Sequence, residues 1–168
     1  MSGFSIDFYD FEWIDGIEDD PEDLCLHGTA KVSIGDEKYE DTCTVSAAAI
    51  ALLRTLTQNH VLGEENIQML PCCGHSMFAN EDLTLVDIIG CNNGIDWTVI
   101  HEGEYIKLIT ESGKCTLVHI NKYKKEVFKA VDKVEAYYKN CKEKVFSDDI
   151  DKDGYMALWN EWEIRRRL

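Results

Sequence analysis

Two short pairs in this sequence have the residue types for metal binding or nucleophilic chemistry, Cys25-x-His27 and Cys73-x-His75. Residues two apart on a strand point to one face, so each pair offers a thiolate and an imidazole. Brought together, the pairs would form a tetrahedral Cys2His2 zinc site. The usual zinc spacings, C-x2-C and H-x3-H, are absent, and buried thiols beside hydrogen-bonded histidines compete as the reading. Cys73 beside His75 also has the composition of a nucleophile and base, as do Cys91, Asp96 and His101. Activation needs surroundings that favour a thiolate, and an acidic chain does not advertise them. A third motif, Asp149-x-Asp151-x-Asp153-Gly154, matches the first half of a calcium loop. Its second half fails: the twelfth position is Asn160, and Glu161 comes one place late. A solvated acidic helix start competes there. No complete catalytic motif occurs, so the expectation is a non-enzyme with no catalytic residue and no assigned metal ligand.

Charge is more informative. The 168 residues carry a formal charge of -15, and residues 1–41 hold thirteen acids against Lys31 and Lys38. Phosphate binding needs a basic surface, so direct nucleic-acid binding is disfavoured. A basic protein partner is favoured, because complementary fields speed encounter and select partners. The blander alternative is acidity that serves solubility. Glu18, Asp19, Asp20, Glu22 and Asp23 cluster around Pro21 and are the candidate partner-binding residues. Seven cysteines, with Cys72 and Cys73 adjacent, make a poor disulfide framework and suggest reduced thiols. No apolar run is long enough for a membrane span and the start lacks signal-peptide character, so a cytoplasmic protein without membrane contact is expected.

The elements that must position these residues are organised around TVSAAAIALLRTLTQNHVLG. Ser46 is suited to cap a helix and Gly63 to end it, predicting a helix over 46–62. Ala49, Leu52, Leu53 and Leu56 form its apolar stripe. Before it, Phe4 to Ile14 alternates with a switch of parity near Phe8 and Tyr9, the mark of a bulge. Then come the acidic loop, a strand over Leu24–Ile34, a turn at Gly35-Asp36, and a strand over Lys38–Val45. After it, Leu83–Ile89 reads as a buried central strand, and Cys91-Asn92-Asn93-Gly94 as a type I′ hairpin turn. Strands over Ile95–Ile100, Tyr105–Thr110 and Cys115–Ile120 make an antiparallel meander. Asn121 can cap an amphipathic helix whose apolar face runs from Tyr123 to Val145. A turn over Ser147–Gly154 leads to a last helix with Tyr155, Leu158, Trp159 and Trp162 on one side, where core packing competes with a binding hot spot. The expected class is α+β in a single domain spanning residues 1–168: an antiparallel sheet, one buried core helix, and two C-terminal helices packed on the sheet.

Taken together, DFEWID, the acidic loop before CLHG, SAAAIALLRTL, PCCGH, GCNNGIDW and ALWNEWEIRRR resemble the small bacterial immunity proteins of polymorphic toxin systems. That resemblance implies a cytoplasmic inhibitor without cofactor, whose acidic surface meets a basic toxin domain, often a nuclease. It carries over no catalytic residue. The runner-up is a small metal- or thiol-dependent enzyme centred on Cys73 and His75.

Overall fold

Nine of the ten residues of helix α1 (Val45–Arg54) are buried, from Val45 through Leu53, so protein surrounds it on every side. The computed structural model describes residues 3–64, 67–91 and 93–168. The class is α+β, and its antiparallel pairing is divided over three small sheets. Strands β1 (Phe4–Glu12), β2 (His27–Ile34) and β3 (Glu37–Thr44) form the first, in that order. Strands β4 (Ser76–Ala79) and β5 (Val86–Ile89) form the second. The predicted meander is the third, built from β6 (Trp97–Glu102), β7 (Tyr105–Thr110) and β8 (Cys115–His119). Helix α2 (Ile120–Lys139) packs on β1 and the ends of β7 and β8, and α3 (Asp149–Arg167) on β4 and β5. α1 lies against both helices and the first sheet.

The apolar periodicity of α2 reads directly into the structure: Tyr123, Val127, Ala130, Val131, Val134 and Tyr138 are its buried residues. In β1, Phe4, Ile6 and Phe8 face the core until the register shifts between Tyr9 and Glu12, with Asp10 at a φ of 51°, one or two residues past the predicted switch.

Several boundaries differ for identifiable reasons. α1 ends eight residues short of Leu62, because Thr55 donates its hydroxyl to the Leu52 carbonyl and His60 pairs its backbone with Val99. Backbone pairing to β6 thus displaces the last predicted turns. Ser46 does not cap: it lies buried inside the first turn, and Thr44 occupies the cap position with no side-chain bond to the helix. α2 stops at Lys139, leaving Val145 exposed in the following loop. His119 rather than Asn121 caps its start, its Nδ1 accepting the Asn121 N–H. The predicted central strand is only the four-residue β5, paired on one side with β4. Asn92 lies outside the described residues, but the hairpin expected there is not formed, since β5 pairs with β4 and β6 with β7.

One charge sits deep among these layers. Arg54 Nε and Nη2 donate to the two carboxylate oxygens of Glu161 at 2.7 and 2.8 Å, and Nη2 also donates to the Val86 carbonyl at 2.6 Å. Val86 N–H returns a bond to Glu161 at 2.9 Å. Glu161 is fully buried, so α1, α3 and β5 are joined by an ion pair whose lone pairs are used.

Candidate functional site

Two loop regions collect the chemistry-bearing residues. The first connects β1 to β2 and contains the acidic cluster. Its shape comes from polar groups bonded inward. Asp23 accepts the N–H groups of Ile14 (2.9 Å) and Cys25 (3.1 Å), and Asp19 accepts that of Lys142 (3.2 Å). Lys144 is buried, with its ammonium 3.5 Å from the centre of the Trp13 ring and donating to the Asp20 carbonyl at 2.7 Å. Burial lowers the Lys144 pKa, against the opposing pull of Cys141, Asp23, Asp20 and Asp19. Val145 N–H donates to the Pro21 carbonyl at 2.9 Å, so the loop after α2 runs alongside.

The five predicted acids therefore divide. Asp20 is buried, 7% exposed, and Asp19 and Asp23 are half-buried with their carboxylates engaged in the frame. Glu18 and Glu22 are exposed and face outward. Beside them stand two side chains that charge analysis passes over, Ile14 at 52% and Ile17 at 53% exposure. Asp15 is exposed between the two isoleucines. The outcome is an ordered tip with apolar groups framed by acids.

The second region joins two stretches, residues 71–75 before β4 and, after β5, residues 90–91 and 93–94. Leu70 and Ile95 exchange backbone hydrogen bonds at 2.9 and 3.1 Å, and Thr44 N–H donates to the Pro71 carbonyl at 2.9 Å. A Cβ on Gly90 would lie 1.7 Å from the Cys73 carbonyl oxygen, so only glycine permits the approach. This packing joins Cys72 and Cys91 as a disulfide, across 19 residues of sequence. The expectation of a fully reduced set is corrected: spacing cannot reveal a pairing that two tertiary contacts create. The Cys73 thiol reaches Cys91 Sγ at 2.8 Å, and Cys91 N–H donates to Cys73 Sγ at 3.1 Å. All three sulfurs lie within 4.8 Å of one another and are partly exposed or exposed.

The Cys25, His27, Cys73, His75 set is not assembled. The two imidazoles do meet, stacked with centroids 5.9 Å apart. But His27 is buried with Nδ1 on the Cys25 carbonyl (2.9 Å) and Nε2 on the Thr44 hydroxyl (3.2 Å), and burial lowers its pKa. Cys25 is fully buried and its thiol is pushed up to about 12. The Cys73 thiol has its contact with Cys91 Sγ at 2.8 Å. Cys91, Asp96 and His101 are likewise apart: Asp96 pairs with His60 at 2.7 Å and accepts Met69 N–H at 3.0 Å, while His101 Nε2 meets the Thr55 carbonyl at 2.9 Å.

Asp149, Asp151 and Asp153 belong to α3, whose cap is Asp148 accepting the Asp151 N–H at 2.9 Å. They form an acidic helix start and wrap no loop. Gly154 is a packing glycine, since a Cβ there would lie 2.1 Å from the Met77 carbonyl oxygen. Trp162 is a core residue, and Trp159 is half-buried with its ring edge-on to Tyr138 at 5.1 Å.

The class this geometry defines is an α+β protein bearing an acidic, isoleucine-tipped loop and a separate sulfur cluster. No family model matches the chain, and neither a curated protein nor a solved structure matches it. Among the described residues, no helix is long and apolar enough to cross a membrane.

Proposed function

We propose that this chain is a cytoplasmic immunity-type protein that neutralises a basic toxin domain, of the nuclease kind, by direct contact through the loop between β1 and β2. The observation that carries the reading is the exposed pair Ile14 and Ile17 set among Asp15, Glu18 and Glu22, on a loop ordered from within. Apolar anchors surrounded by charge are how interfaces combine affinity with partner selection. A pre-ordered loop also pays little ordering entropy on binding. The net charge of -15 adds long-range attraction for a cationic partner.

The test is growth of cells producing a basic, nuclease-type toxin domain taken from a reading frame adjacent to the gene for this chain, with the native protein or its variants supplied in trans; the absence of any such frame would count against the proposal. Native protein should protect. Ile17→Asp should lose protection through faster dissociation, and the double variant Glu18→Lys with Glu22→Lys through slower association. Full protection by both variants would place the contact elsewhere on the molecule.

A further inference from the structure

We propose that Cys72, Cys73 and Cys91, when reduced, form a three-thiolate site for a borderline-soft divalent cation of the zinc class. The fold supplies the geometry independently of any sulfur–sulfur bond. On one side, the Leu70 and Ile95 backbones exchange two hydrogen bonds, and Thr44 holds Pro71. Next to that exchange, Gly94 N–H donates to the Gln68 amide oxygen at 2.7 Å while the Gln68 amide nitrogen donates to the Gly94 carbonyl at 3.3 Å. On the other side of the cysteines, His75 N–H donates to the Ile89 carbonyl, and Gly90 admits the Cys73 carbonyl. The two loops are thus held together by contacts that flank the cysteines in both directions along the chain.

A structural staple needs two sulfurs, yet this site presents three within 4.8 Å. The third is not incidental to the packing, because Cys91 N–H points at Cys73 Sγ at 3.1 Å. Such N–H donors to sulfur stabilise a thiolate and belong to the outer shell that orients metal ligands. Thiolates select zinc and other thiophilic ions over calcium or magnesium, which prefer oxygen. Partial exposure of all three residues leaves an entry path and a fourth position for water or a further ligand. The strong negative charge of the chain raises the local concentration of cations.

The disulfide and the metal site are two states of the same sulfurs. A phosphine reductant opens the Cys72–Cys91 bond, taking an oxygen from water as it becomes the phosphine oxide and leaving a thiol on each cysteine. The cation then displaces the protons of the three thiols into the buffer. Zinc binding and the disulfide therefore exclude each other.

The test titrates Co2+, then Zn2+, into the full chain reduced with a phosphine under anaerobic conditions. One equivalent of Co2+ should produce a thiolate-to-cobalt charge-transfer band, which Zn2+ then bleaches. Cys73→Ser retains the partners of the disulfide, so its oxidised form keeps the native fold by circular dichroism. Its reduced form should bind zinc more weakly by more than about tenfold. Cys115→Ser, at an exposed thiol outside the cluster, should match the native protein. Absence of the cobalt band in the reduced native chain, equal affinity in Cys73→Ser, or equal binding by the oxidised chain would each overturn the proposal.

Discussion

The loop after β1 and the paired loops carrying Cys72 and Cys91 are both irregular, but they are ordered by opposite means. In the first, side chains bond to backbone: Asp19, Asp23 and Lys144 each satisfy a main-chain group on a neighbouring segment. In the second, backbone meets backbone, through the Leu70–Ile95 exchange and the contact that Gly90 allows. The difference teaches where each can change. A side-chain frame leaves the outward residues free to vary for a partner. A backbone clamp leaves little room for any added atom, while holding the three sulfurs at a set spacing.

The most disruptive change should therefore fall in the clamp. Gly90→Ala forces a Cβ into the Cys73 carbonyl, and overpacking against backbone should cost at least the upper part of about 1–3 kcal/mol. Urea unfolding would show it as a lower midpoint. A midpoint equal to the native would mean that the two loops are not held in contact.

Lys144→Met should come next. It keeps much of the packing on Trp13 but removes the donor to the Asp20 carbonyl, for a loss of about 1–3 kcal/mol. The sharper readout is local: hydrogen exchange should accelerate at Ile14 and Cys25 while the amides of β6 and β7 are unchanged. Acceleration spread evenly over the chain would show that Lys144 is a general stabiliser rather than a clamp for the loop.

The thiols at the two places should separate with pH. Burial holds Cys25 at about 12 against an ordinary 9.0, and Cys43 in the same way. A thiol with a raised folded pKa contributes stability that is complete below its unfolded pKa and is lost as pH rises toward the folded one. The melting temperature should thus decline between pH 9 and 12, and Cys25→Ala should flatten that decline, though buried Tyr123 and Tyr138, also raised, sustain part of it. In native conditions at pH 8, alkylation should reach Cys73 and Cys115 and spare Cys25 and Cys43, following exposure. Comparable labelling of Cys25 would contradict its burial.

The smallest effect on stability belongs to the tip. Glu18→Gln with Glu22→Gln should shift the unfolding free energy by less than about 0.5 kcal/mol, since both side chains are exposed. Association with a basic partner should slow, and its salt dependence should flatten. Stopped-flow rates at low and physiological ionic strength separate the two. An unchanged rate and salt slope would mean that these acids are solvated surface and that the partner site lies elsewhere. Extending the neutralisation to Asp19 and Asp23 is a different experiment, because those carboxylates hold the frame.

Periodicity was enough where an element meets the core along one face. The apolar stripe of α2, the alternation and bulge of β1, and the meander from β6 to β8 follow from the spacing of side chains alone. So did the acidity of the first loop, a matter of composition. Spacing carries no information about partners that lie far off in the chain. The lost turns of α1 went to a pairing of His60 with Val99, and the burial of Glu161 depends on Arg54, 107 residues earlier. The acidic cluster divided into frame and tip because the N–H groups of Ile14, Cys25 and Lys142 and the Lys144 ammonium stand where the Asp23 and Asp19 carboxylates and the Asp20 carbonyl find partners. Cys72, Cys73 and Cys91 became neighbours by the same route. Local sequence determines which residues can line a face, through repeat and propensity; which loops touch is decided when separate elements close on α1, and only then do charges and sulfurs acquire their partners.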